Sequence, residues 1–149
     1  MNIVLFEPEI PFNTGAAGRL ALATGSTLHL IKPLAFSLDE KAVRRAGLDY
    51  WKDVDLSVWD SLADLQAEFP EARFWMMSTK AKRTIWETEF TTADFLVFGP
   101  ESRGLPEDWA KGDMGVRIPM AQDGTRSLNL ATSVGIALYE AYRQVGGLK

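Results

Sequence analysis

There is no cysteine among the 149 residues, which excludes disulfides, thiolate nucleophiles and zinc–cysteine sites. Histidine is nearly absent too. The single one, His29, sits in the strand-like run Thr27-Leu28-His29-Leu30-Ile31 and reads as a structural residue. Histidine triads and multi-histidine metal sites are therefore not expected, and no metal is assigned. Bulk positive charge is missing as well: the formal net charge is -4. Any nucleic acid must be met by a local basic face rather than an overall field. No apolar run reaches membrane-spanning length. Met1–Leu5 lacks the basic leader and small-residue cleavage site of a signal peptide. The expectation is a cytoplasmic protein with no membrane association.

Hydrophobic residues make up 46% of the chain and charged residues 24%, enough apolar material for a packed core and no sign of disorder. Short apolar runs alternate with helical patterns. Strands are expected at Asn2–Phe6, Thr27–Ile31, Val54–Trp59, Arg73–Ser78 and Asp94–Phe98, with a short extended piece at Val116–Pro119. Helices are expected at Asn13–Thr24, with Leu20, Leu22 and Ala23 on its apolar side and Gly25 ending it. Others are expected at Asp39–Ala46, stopped by Gly47, and at Ser61–Phe69, closed by Pro70. The longest, Ser127–Val145, carries an apolar stripe of Leu130, Val134, Ala137, Ala141 and Val145. The alternation implies an α/β protein, a single domain over residues 1–149, with a mostly parallel sheet flanked by helices. No linker, repeat or low-complexity tract interrupts it. In such sheets ligands bind at the carboxyl ends of the strands, so the strand-end loops are the places to look.

Three of them carry unusual residues. Glu7–Arg19 follows the first strand and opens the first helix; two prolines stiffen it, and Asn13 or Thr14 can cap the helix. Helix N–H groups and Arg19 together could meet an anion. The Gly-x-Gly-x-x-Gly dinucleotide fingerprint is absent, which disfavours a nicotinamide enzyme. Phe98-Gly99-Pro100-Glu101-Ser102-Arg103-Gly104-Leu105-Pro106 packs two glycines and two prolines beside a carboxylate and a guanidinium, implying a fixed and unusual backbone path. Arg117-Ile118-Pro119-Met120 leads to Arg126-Ser127-Leu128-Asn129-Leu130, with Ser127 a candidate N-cap for the last helix.

Taken together these stretches resemble the SpoU branch of the SPOUT, or α/β-knot, methyltransferases. Asn-Thr-Gly-x-x-x-Arg at Asn13–Arg19, Phe-Gly-Pro-Glu-Ser-Arg-Gly-Leu-Pro at Phe98–Pro106 and Ile-Pro-Met followed by Arg-Ser-Leu-Asn-Leu match the family's three motifs in order and spacing. Two further stretches, Glu7–Gly15 and Arg44–Tyr50, resemble a minimal branch that methylates the wobble ribose, nucleotide 34, of certain leucine tRNAs. The resemblance implies a deep C-terminal trefoil knot, a homodimer packed partly through the first and last helices, and tRNA as substrate. S-adenosylmethionine would be the methyl donor and S-adenosylhomocysteine the product. Another tRNA or rRNA site remains open, as does a non-catalytic RNA-binding module on the same scaffold. A flavodoxin-like flavin protein would need a phosphate loop after the first strand, and none is found.

Carried over by motif, the donor site would comprise Met77, Gly99, Gly104, Ile118, Ser127 and Leu128. Arg19 matches the family's catalytic arginine, with Asn13 and Glu101 beside it; Glu101 is expected to orient Arg19 or the ribose. Arg19, Arg44, Arg45, Arg103, Arg126 and Asn129 are candidate RNA contacts. Lys41 joins Arg44 and Arg45 in one basic group, and Lys80, Lys82 and Arg83 form another. Tyr50, Trp51 and Trp86 could stack on bases, although core packing accounts equally well for the tryptophans.

Overall fold

A computed structural model describes residues 1–122 and 124–149, and nothing is described for the side chains of residues 47–49. Six strands form one parallel sheet: β1 (Asn2–Phe6), β2 (Thr27–Ile31), β3 (Leu56–Trp59), β4 (Phe74–Met77), β5 (Phe95–Phe98) and β6 (Gly115–Val116). Their spatial order is β3-β2-β1-β5-β4-β6. Among the described residues five α-helices accompany them: α1 (Pro11–Thr24), α2 (Lys41–Gly47), α3 (Leu62–Glu68), α4 (Glu107–Lys111) and α5 (Leu130–Val145). β6 lies outside β4 at the sheet edge, and α5 comes back to pack on α1 and β5. The single parallel sheet with helices on it is the α/β architecture that the alternation implies.

Alternate residues of each strand feed two cores, as the period of two requires. Ile3, Leu5, Trp75, Met77, Leu96 and Phe98 point to the α1/α5 face, where Val134, Ala137, Leu138 and Ala141 meet them. Val4, Met76, Phe95 and Val97 point the other way, toward Leu62 and Leu65 of α3. β4 and β5 are buried along their whole length, the mark of parallel strands covered on both faces.

Two buried polar groups hold the sheet's amino-terminal region. His29 is 3% exposed; its Nδ1 accepts from Trp59 Nε1 at 3.1 Å and its Nε2 lies 3.0 Å from Asn2 Oδ1. With Nδ1 an acceptor, the proton sits on Nε2 and the ring is neutral. Burial pushes its pKa down to about 4, against a smaller opposing pull from Asp55. Asp94 accepts from Arg73 Nε and Nη2, Trp75 Nε1 and the Thr91 N–H and Oγ1, all within 3.0 Å. Burial raises its pKa, but these donors outweigh it and hold the carboxyl below its usual range.

Several boundaries differ from the sequence reading. α1 starts at Pro11, whose fixed φ suits the first helical position, and its N-cap Ile10 makes no side-chain bond; Asn13 lies inside the first turn rather than capping it. The buried side of α1 carries Asn13, Thr14, Gly15, Ala17, Gly18, Ala21 and Thr24, and Leu22 and Ala23 face outward. Small residues win the inner side because α1 is pressed close to its neighbours: a Cβ on Gly18 would meet Trp51 Cε3 at 2.9 Å. Trp51 is thus a packing residue. α5 is capped by Asn129, whose Oδ1 accepts from Thr132 N–H at 3.1 Å, and not by Ser127. The strand expected at Val116–Pro119 is shorter, with a bridge from Arg117 to Thr84 continuing it.

Candidate functional site

The three unusual loops converge. At the carboxyl ends of β4 and β5 they enclose a cleft of about 660 Å³, within the range of small-molecule sites. Its lining includes Met77, Gly99, Gly104, Ile118, Ser127 and Leu128, every residue expected to hold the donor. Asn13, Glu101, Arg103, Arg126 and Asn129 line it too.

One wall is a turn of backbone. Gly104 adopts φ +70, a left-handed conformation that favours glycine, and its N–H donates to Pro100 O at 2.8 Å. A Cβ on Gly99 would overlap the backbone of Gly104 and Leu105. The glycines thus let the turn fold onto itself and leave backbone and the apolar side chains of Met77, Ile118 and Leu128 facing the space. An apolar slot edged by main-chain and hydroxyl groups suits an adenosyl group bearing an amino-acid tail.

Glu101 ties this wall to the first loop. Its carboxylate accepts the N–H groups of Glu9 and Ile10 at 2.9 and 2.8 Å, and Asn13 Nδ2 at 3.2 Å. Asn13, 3% exposed, in turn accepts from Asn129 Nδ2 at 3.2 Å. The relay Glu101–Asn13–Asn129 crosses all three loops and ends at the N-terminus of α5. Within one chain Glu101 is engaged by these donors, not by Arg19.

Arg103 donates to Glu7 Oε1 at 2.7 Å and lies 4.0 Å from Glu9, so in this state its guanidinium is held by two carboxylates. Lys80, in the loop after β4, lines the cleft together with Ser78 and Thr79. The sequence reading missed Ser78 and Thr79 and took Lys80 only for part of a basic group; their one signal was a polar switch directly after an apolar strand. Arg44 and Arg45 lie exposed on α2, away from the cleft lining, with Arg44 3.5 Å from Asp39.

Arg19 is not among the residues that line the cleft of the single chain. It is exposed on the outward side of α1, in the stripe Phe12, Ala16, Arg19, Ala23, whose spacing of three and four residues puts them on one helical face. Phe12 is 57% exposed, and on the adjacent α5 Ile136 and Tyr139 are 39% and 48% exposed. Gly135 packs on Leu20, joining the two helices. Among the described residues Trp86 is the most exposed large apolar side chain, at 72%. Among the described residues there is no cluster of three or more potential metal ligands, and no helix long and apolar enough to cross a membrane.

The sequence profile of the SpoU rRNA Methylase family matches residues 1–139. The chain is 48% identical, over 151 aligned positions, to a tRNA (cytidine(34)-2'-O)-methyltransferase of Saccharophagus degradans, with 97% of this chain and 96% of that one covered. It is 44% identical to the protein of the same name from Escherichia coli K12, with 98% and 94% covered. A solved structure described as "Structural insights into the 2-OH methylation of C/U34 on tRNA" superposes with a TM-score of 0.90 at 49% identity, covering 96% of this chain and 94% of that one.

Proposed function

The chain belongs to the SpoU rRNA methylase family, and from that premise we propose that it methylates the ribose 2′-hydroxyl of nucleotide 34 in tRNA, with S-adenosylmethionine as donor. The observation that carries the reading is the convergence of three separated motifs on one cleft, with Glu101, Asn13 and Asn129 hydrogen-bonded across it. The near-complete coverage of relatives named for cytidine-34 methylation supports the choice of substrate.

Bound in the cleft, S-adenosylmethionine supplies a methyl group already activated by its sulfonium. What remains for the protein is alignment and management of one proton. Alignment alone can account for roughly 7–11 kcal/mol of barrier in favourable cases. Met77, Ile118, Leu128 and the Gly99–Gly104 turn would hold the donor, with the Ser127 hydroxyl available to its polar end. Asn13 and Asn129 are fixed by their mutual bond, which leaves one Asn129 N–H to orient the ribose. Arg126 and Lys80 offer charge to the RNA phosphates at the cleft mouth. Arg44 and Arg45 present a second exposed basic group on α2, apart from the cleft lining.

Arg19 enters from a second copy of the chain. Ile10 lines the cleft and is 44% exposed; two residues on, Phe12 begins the outward stripe that contains Arg19. The cleft mouth is thus continuous with the apolar face of α1 and α5. A homodimer that buries Phe12, Ile136 and Tyr139 places Arg19 at the seam, beside its neighbour's cleft. A guanidinium holds its proton too firmly to be a good base. Its role is to fix a phosphate and stabilise the alkoxide that develops as the hydroxyl proton passes to a phosphate oxygen or water.

The test is transfer of labelled methyl from S-adenosylmethionine to bulk tRNA by the purified protein. Incorporation into ribose supports the reading; binding of tRNA without incorporation would leave only a binding module.

A further inference from the structure

A second carboxylate, Glu9, mirrors the bonds of Glu101; it precedes the Asn13–Arg19 motif and has been given no role in the site. Its Oε1 accepts the Ser102 N–H at 2.7 Å and its Oε2 accepts from Ser102 Oγ at 2.9 Å. In the opposite sense, Glu101 accepts the N–H groups of Glu9 and Ile10. Each loop therefore offers a carboxylate to the other's backbone, across a separation of about 90 residues, and the four bonds close a clasp. Charge-assisted bonds of this kind are short and roughly twice as strong as neutral ones. Ser102 lies inside the Gly99–Gly104 turn that forms the cleft wall, whereas Glu9 is not among the residues lining the cleft. Next to the clasp, Glu7 is a non-glycine residue at φ 50, a costly conformation, and its carboxylate holds Arg103 of the same turn. Backbone strain at a strand end beside a ligand cleft points to a functional constraint.

We propose that Glu9 is a positioning residue for methyl transfer: its carboxylate holds the Gly99–Gly104 wall in the shape that accepts the donor. This rests on the reading of the cleft as a donor site. Glu9 touches neither donor nor RNA; it acts through Ser102. Without Glu9 the turn keeps the bonds of Glu101 to the first loop, its internal bonds to Pro100 and the Arg103 pairing, and loses the two that fix Ser102.

The test is calorimetric titration of S-adenosylhomocysteine into the wild-type protein and the Glu9→Ala and Glu9→Gln variants, with thermal unfolding of each. Glu9→Ala is expected to weaken binding about tenfold, through the loss of the two charge-assisted bonds that fix Ser102 in the wall. Glu9→Gln is expected to restore most of the affinity, because its amide oxygen still accepts the Ser102 N–H and its NH2 can donate to Ser102 Oγ. Wild-type affinity in a folded Glu9→Ala variant would overturn the proposal, and so would a Gln variant as weak as the Ala variant, since a mere spacer role predicts no rescue. Should Glu9→Ala fail to fold, Ser102→Ala removes one bond only and is expected to weaken binding about threefold; no change there overturns the role of Glu9. Failure of the wild-type protein to bind S-adenosylhomocysteine at all would instead overturn the donor-site reading on which the role depends.

Discussion

Asn129 donates its side-chain amide to Oδ1 of Asn13 at 3.2 Å, joining residues 116 positions apart. The same Asn129 caps α5 through its own Oδ1, and the same Asn13 reaches Glu101 through its Nδ2. One pair of amides therefore sets the position of two helix N-termini and one cleft wall.

Removing either partner should cost stability unequally. Asn13 is buried, and Asn13→Ala leaves a cavity and strands polar partners, an expected loss of about 1–3 kcal/mol. Asn129 is exposed, so Asn129→Ala loses mainly its cap, about 1 kcal/mol. Urea denaturation of both variants checks the order.

Arg19 is expected to act across the dimer. Arg19→Ala alone should abolish most methylation while donor binding stays near wild type, because Arg19 lines no part of the donor cleft. Mixing Arg19→Ala chains with chains whose cleft is blocked by Gly99→Ala should then restore about a quarter of wild-type activity, since half of randomly assembled dimers carry one complete site. Rates from refolded mixtures decide the matter; no recovery would mean that Arg19 serves its own chain.

His29 gives stability a defined pH dependence. Its folded pKa of about 4 lies below the ordinary 6.5, so between these values the unfolded chain binds a proton that the native chain refuses. Stability is unaffected by this group above pH 6.5, falls as pH drops toward 4, and levels off below, with a total loss of up to about 3 kcal/mol. As the only histidine, its ring resonances can be followed without ambiguity, and their midpoint is expected near 4.

Asp94 should be the costliest surface-proximal carboxylate to lose. It is 1% exposed and fixes Arg73, Trp75 and Thr91. Asp94→Ala strands the Trp75 N–H and the Thr91 backbone, with an expected loss of about 3 kcal/mol, read from the unfolding midpoint. Arg73 is half-exposed, and Arg73→Ala should cost less.

Much of this was legible in the sequence, for reasons that differ by element. Continuous apolar runs such as Phe95–Phe98 have one solution in an α/β chain, a buried parallel strand. The cleft was legible because glycines, prolines and charged groups crowd into short strand-end segments. α1 misled at Leu22 and Ala23, because close helix packing selects small residues such as Gly15, Ala17 and Gly18 for the inner side and leaves Leu22 outward. The cap of α5 misled at Ser127, because Asn129 is equally able to cap and is held in place by Asn13, a contact that no local pattern carries. Glu9 was invisible for the same reason: its partner Ser102 is distant in the chain and near only in the fold.

The most direct test of the central claim is to map ribose methylation in tRNA from a strain lacking this gene, before and after adding back the purified protein with S-adenosylmethionine. The account predicts that a 2′-O-methyl group at nucleotide 34 of leucine tRNA is missing and is then restored. A nucleotide 34 that is methylated without the gene, or that stays bare after the protein is supplied, would contradict it.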